Sequence, residues 1–96
     1  MIRYVTIHGG VQGVGYRVWT ELTALRHGLE GWVRNRRDGT VEAVFAGDAE
    51  TIVDMVAACR RGPAGARVTK LEEREASPAE LAARRPGEHF SVLPTL

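Results

Sequence analysis

The sequence predicts an α+β fold, a ferredoxin-like two-layer sandwich with two helices on one face of a mostly antiparallel sheet. Three observations predict it. Hydrophobic periodicity alternates between strand and helix spacing in the order β-α-β-β-α-β, with a short fifth strand at the end. Only two segments read as full-length amphipathic helices, so helices can cover one face of one sheet and not both. Right-handed crossovers then put both helices on the same side. A chain of 96 residues suffices for one domain spanning 1–96, and a hydrophobic content of 44% builds its core without staples.

Each element follows from local pattern. The first strand is expected over Ile2–His8, with Val5 and Ile7 on one face and Tyr4, Thr6 and His8 on the other. The first helix is expected over Arg17–His27. Val18, Leu22, Leu25 and Leu29 recur at helical spacing and form its expected core stripe. Gly28 stands where a left-handed C-cap belongs. A second strand, Trp32–Arg36, leads through Asp38-Gly39, a strong hairpin signal, into a third strand over Thr40–Ala46. There Val41, Ala43 and Phe45 share one face, and Glu42, Val44 and Ala46 the other. Asp48 is the expected N-cap of a second helix, Ala49–Arg61, whose stripe is Ile52, Val56 and Cys59 with Val53 beside it. Arg60 and Arg61 suit its C-terminus, and Gly62-Pro63 stops it. The fourth strand, Ala66–Glu75, has Val68 and Leu71 out of phase, which predicts a bulged edge strand. Ala76–Glu88 reads as a loop with a turn of helix at Pro78–Ala83, and His89–Leu93 as the closing strand.

Composition narrows the function classes. Thirteen basic residues face twelve acidic ones, a net charge of +1 that is too even for a general polyanion surface. Any anion binding is therefore local. Cys59 is the single cysteine, so it forms no internal disulfide and completes no metal quartet, which fits a reducing compartment. The N-terminal residues enter a strand pattern at once, with no signal-peptide or membrane-spanning run. The expectation is a soluble, cytoplasmic protein.

The most informative segment is Gly9-Gly10-Val11-Gln12-Gly13-Val14-Gly15-Tyr16-Arg17, set between the first strand and the first helix. Glycine-rich backbone can turn several N–H groups onto one point. The first amides of a helix have no partners and lie at its positive end. With a forked guanidinium added, such a segment can receive a phosphate-like oxyanion. The alternative is a turn that only turns, with a solvated arginine. The segment is neither a P-loop, since no Gly-Lys-Ser/Thr follows, nor a dinucleotide fingerprint. Asn35 is the second candidate. On spacing alone it reads as a turn-stabilising side chain, but in a split β-α-β the second strand lies close enough to the loop to share a site.

These two segments resemble the acylphosphatase family. Gly9–Arg17 reproduces its signature Gly-x-Val-Gln-Gly-Val-x-Tyr/Phe-Arg position by position. Gly31–Asn35 and Arg36–Glu42 match a second signature, Gly-x-Val-x-Asn followed by x-x-Asp-Gly-x-Val-Glu. Gly10 departs from the basic or polar residue common there, and Ser77–Glu88 is the weakest correspondence. No zinc-type cysteine pairs follow, so the chain resembles a free-standing member and not the related domain heading larger carbamoyl-transfer proteins. The resemblance implies hydrolysis of an acyl phosphate to a carboxylate and inorganic phosphate. It implies that Arg17 and Asn35 are catalytic and that Gly10, Val11, Gln12, Gly13, Val14, Gly15 and Tyr16 form a phosphate-binding loop. No metal or other cofactor, no nucleic acid, no membrane and no second subunit is expected to take part.

The remaining candidates have plainer expectations. His8 reads as a surface residue, His27 as a helix C-terminal cation and His89 as a strand-start residue, with Cys59, Trp19 and Trp32 as packing residues. Tyr16 is expected to anchor the loop through its ring, and Thr20 to bond locally. Arg36 and Arg37 are expected at a solvated hairpin tip. Two non-enzymatic alternatives share the fold: an RNA-recognition module, which would need aromatics on the open sheet face, and a small-molecule regulatory domain.

Overall fold

The computed structural model describes residues 1–96. Five strands and three helices follow in the order β1 (Ile2–Gly10), α1 (Tyr16–Arg26), β2 (Glu30–Asn35), β3 (Val41–Ala46), α2 (Ala49–Arg61), β4 (Arg67–Glu75), α3 (Pro78–Leu81) and β5 (Phe90–Val92). The sheet order is β4-β1-β3-β2-β5. All neighbours are antiparallel except β2 and β5, which run parallel. The predicted ferredoxin-like sandwich is therefore present. Because β1 and β2 both flank β3, they run in the same direction, and the loop leaving β1 stands beside the end of β2.

The main core lies between the sheet and the helix pair. Val5, Ile7, Val33, Val41, Ala43 and Phe45 meet Ile52, Met55, Val56 and Cys59 from α2. Each large side chain buried there contributes roughly 1.5–3 kcal/mol. The α2 stripe is thus as expected, with Met55 added and Val53 left exposed.

Helix α1 differs from expectation. Val18, Leu22 and Leu25, the anticipated core stripe, are 56%, 52% and 44% exposed. Only Leu29 is buried, and it lies beyond the helix. The face turned inward carries Tyr16, Thr20, Thr23 and Ala24. Two threonines can be buried because each hydroxyl donates to its own helix: Thr20 to the Tyr16 carbonyl at 2.8 Å and Thr23 to the Trp19 carbonyl at 2.7 Å. The Tyr16 ring fills the core, and its hydroxyl donates to the Cys59 carbonyl at 2.6 Å. That anchor sets the rotation of α1 about its axis.

Strand β4 is the bulged edge that its pattern predicts. His8 lies opposite Lys70 but Gly9 lies opposite Val68, so Thr69 is the extra residue. The bulge returns Val68 and Leu71 to one face, and both pack against the core. It also brings β4 so close that a Cβ on Gly9 would stand 2.1 Å from the Arg67 carbonyl oxygen.

The other sheet face is covered in part. Trp32, Val44 and Leu93 form a small second cluster, with Ile2, Tyr4, Ala76 and Leu81 packed against it. Short α3, within the segment read mainly as loop, closes over this cluster. A reciprocal pair of bonds between Ser77 and Glu80 caps it. Trp32 Nε1 donates to the Glu80 carbonyl at 2.7 Å. Glu42 is buried beside this cluster and accepts from Tyr4 Oη and Arg34 Nε, both at 2.5 Å.

Candidate active site

The site forms where the β1–α1 loop meets the end of β2. Gly13 and Gly15 adopt left-handed backbone, with φ of 74° and 79°. Neither has a neighbour within reach of an added Cβ, so backbone conformation and not space demands glycine there. Two left-handed residues separated by one other curl the loop into a concave arc. Gly15 serves as N-cap of α1 without any side-chain cap, and no acidic residue occupies the first turn. The amides of Gln12, Gly13, Val14 and Gly15 donate to no backbone carbonyl, whereas the Val11 amide donates to the Gly9 carbonyl at 3.0 Å. The first amides of α1 have no intrahelical acceptor either.

A cavity of about 230 Å³ opens at this point, lined by Val11, Gly13, Gly15, Tyr16, Arg17, Val18, Asn35 and Val92. It joins Arg17 and Asn35, the two candidate catalytic residues. Arg17 is the single charged residue of the lining. It takes part in none of the ion pairs of the molecule, so no carboxylate neutralises it. A cation at the positive end of a helix is disfavoured by the dipole and gains nothing from the fold. An anion held between the two would reverse that balance.

Asn35 shares the helix-facing side of β2 with Val33. Its Oδ1 is buried without a hydrogen-bond partner. A buried acceptor left unpaired costs about 1–3 kcal/mol, so it marks a place where folding alone does not account for the residue. The backbone around it is firmly held. Asn35 lies opposite Val41, and its carbonyl accepts from the Leu96 amide at 3.2 Å. The following hairpin is fixed by Asp38, which accepts from the Thr40 amide and hydroxyl at 2.9 and 2.6 Å. Those two bonds hold the Asp38 carboxyl below its usual range.

The other predicted loop residues have different places. Gly10 ends β1 opposite Arg67 and does not line the cavity. Gln12 points away from it: its Nε2 donates to the Arg36 and Thr40 carbonyls at 2.8 and 2.9 Å. Gln12 therefore ties the loop to the hairpin that follows Asn35. Tyr16 lines the cavity with a ring otherwise fixed in the core, and burial raises its phenol above the ordinary value. Burial also pushes the Cys59 thiol up to about 12. Neither the Tyr16 phenol nor the Cys59 thiol therefore ionises near neutral pH.

Val18 and Val92 carry no signal in sequence that marks them for the site. Helical spacing points Val18 at the core, and Val92 lies far along the chain from either motif. Val92 reaches the cavity because β5 pairs beside β2, with Val92 opposite Val33. No group of three or more His, Cys, Asp or Glu side chains is arranged to hold a metal ion.

Known proteins match the chain in sequence and in fold. The sequence model of the Acylphosphatase family matches residues 3–85. An acylphosphatase of Rhodopseudomonas palustris (strain BisB18) is 60% identical over 96 residues, covering 100% of this chain and 97% of that protein. Among solved structures, an acylphosphatase from Bacillus subtilis superposes with a TM-score of 0.80 at 33% identity, over 97% of this chain and 99% of that one. One from Coxiella burnetii gives 0.82 at 29% identity, over 96% and 90%. The signatures around Arg17 and Asn35 thus sit in a matching fold and a matching full-length sequence, and the chain belongs to the acylphosphatase family.

Proposed function

We propose that this acylphosphatase holds the phosphoryl group of its substrate on the Gln12–Gly15 amides, the first amides of α1 and the Arg17 guanidinium, while Asn35 orients the attacking water. The observation that carries the reading is the single cavity joining Arg17, two left-handed glycines and the unpaired Asn35 carboxamide, with no carboxylate in its lining.

The chemistry follows from the substrate. Water attacks phosphorus in line, and the bond from phosphorus to the acyl oxygen breaks. The products are a carboxylate and dihydrogen phosphate, so both water protons end on phosphate. The carboxylate is a weak base and leaves without a proton. The remaining task is to hold a dianion, stabilise the charge spread over its oxygens and aim the water. Amides and a guanidinium fixed beforehand do this without reorganising during the reaction. Asn35 Oδ1 is an acceptor for a water O–H. No side chain of the lining is a general base, which leaves the substrate phosphate to take the water's proton.

The positive field comes from the protein itself, so turnover of benzoyl phosphate should survive EDTA; a loss restored by a divalent metal refutes this. Asn35→Ala should lower turnover while inhibition by inorganic phosphate stays close to wild type. Collapse of phosphate inhibition would make Asn35 a binding residue instead. The site is complete within one chain, which supports a monomer, and the buried free thiol of Cys59 fits the cytoplasm. No helix is long and apolar enough to cross a membrane. Against an RNA-stacking surface stand the positions of the aromatics: Phe45 faces the helices, Trp32 is buried, and the Arg74 guanidinium lies 4.1 Å over the Tyr4 ring.

A further inference from the structure

The cavity has a second, apolar half that phosphate chemistry does not use. Val18 follows Arg17 directly and lines the cavity, yet it is 56% exposed. Val92 lines it from β5, and Val11 lies at its floor. Leu22 is one turn beyond Val18 on the same side of α1 and is 52% exposed, with Leu25 further along. These leucines are not left over from core packing, because the threonine face of α1 meets the core instead. The result is an apolar strip that starts inside the cavity and runs outward along one helix.

We propose that Val18 and Val92 form the acyl subsite, and that Leu22 extends it, so that the enzyme prefers acyl phosphates with apolar acyl groups. This rests on the placement of the phosphoryl group at Arg17. An acyl phosphate has two ends, and once the charged end sits on the amides and Arg17, the uncharged end has the valines as neighbours. Val92 arrives beside Arg17 only through the parallel β2–β5 pairing. A benzoyl ring covers Val18. An octanoyl chain, longer than one helical turn of about 5.4 Å, passes Val18 and reaches Leu22.

The test compares kcat/KM for acetyl, benzoyl and octanoyl phosphate in wild type, Val18→Ser and Leu22→Ser. Both positions are largely exposed, so both variants fold. Val18→Ser should lower the benzoyl-to-acetyl ratio about fivefold, the loss expected for part of one apolar contact. Leu22→Ser should lower the octanoyl-to-acetyl ratio about threefold and leave the benzoyl-to-acetyl ratio at its wild-type value. Val53→Ser, which removes an exposed valine of α2 outside the cavity, should change neither ratio. Ratios unchanged in Val18→Ser, with hydrolysis itself intact and abolished by Arg17→Ala, overturn the acyl subsite alone. Hydrolysis unaffected by Arg17→Ala overturns the phosphate placement, and the subsite with it.

Discussion

Helices α1 and α2 pack side by side on one face of the sheet and obey opposite rules. The N-terminus of α2 is capped by Asp48, whose Oδ2 accepts from the Thr51 amide and hydroxyl, each at 3.3 Å. Glu50 sits in its first turn, and Arg60 and Arg61 in its last. Every one of those choices favours the helix dipole. Helix α1 starts from a glycine with no side chain, has no acid in its first turn and carries Arg17 there. Its inward face has two threonines, and its leucines point outward. The difference separates a helix whose ends are both capped and charged to suit its dipole from one whose first turn is left uncapped, where the proposed phosphoryl site lies. What α1 gives up in capping and burial, the anchor from Tyr16 to the Cys59 carbonyl and the core of α2 make good.

The largest expected effect tests the open terminus. Arg17→Ala should lose at least ~3 kcal/mol of transition-state stabilisation, by analogy with a lost oxyanion donor, while the unfolding midpoint stays put or rises slightly. Arg17→Lys should restore little, since an ammonium has no fork. Steady-state kinetics with benzoyl phosphate, run beside denaturant melts, measure both quantities. A variant that loses stability in step with activity would erase the contrast between the helices.

Asp48→Ala tests the capped terminus and should show the reverse pattern. About 1 kcal/mol of folding stability should be lost, with kcat per folded molecule unchanged. Kinetics that weaken with stability intact would put Asp48 in the site.

The capped rule extends to α3, with a smaller effect because the groups involved are exposed. Glu80 accepts from Arg74 and from the Ser77 amide, and these bonds hold its carboxyl down at about 2. A carboxyl lowered on folding adds stability that is complete above its ordinary value of 4.5 and is lost as pH falls through about 2. In a Trp19→Phe background, the fluorescence of Trp32, bonded to the Glu80 carbonyl, should therefore change between pH 4.5 and 2. A transition complete above pH 4.5 would show that the Arg74–Glu80 pair does not hold α3.

The smallest effect discriminates most sharply between pattern and structure. Leu25→Gln should change stability by less than ~0.5 kcal/mol, as at an ordinary surface position. Were the leucines of α1 a core stripe, the loss would be roughly 2–5 kcal/mol. Chemical denaturation separates these values easily.

Much of the molecule is legible from residue order. Element order and the Asp38-Gly39 hairpin follow from short-range periodicity and turn chemistry. So do the stripe of α2 and the irregularity of β4. Local motifs also bring Arg17 and Asn35 forward. The burial of α1 is not legible, because a threonine that bonds its own helix looks polar in sequence but is satisfied when buried. The bracing bonds of the Gln12 side chain are not legible either, because its partners, the Arg36 and Thr40 carbonyls, are more than twenty residues away. Val92 escapes notice for the same reason.

Sequence alone determined which segments become strands and helices, where they turn, and which two motifs bear the family's signatures, since those depend on backbone preference and on side chains close along the chain. Tertiary structure alone decided which side of α1 faces the core, that Gln12 braces the loop, and that a valine from the last strand lines the cavity beside Arg17. These depend on contacts between distant segments, and such contacts exist only after the sheet has assembled.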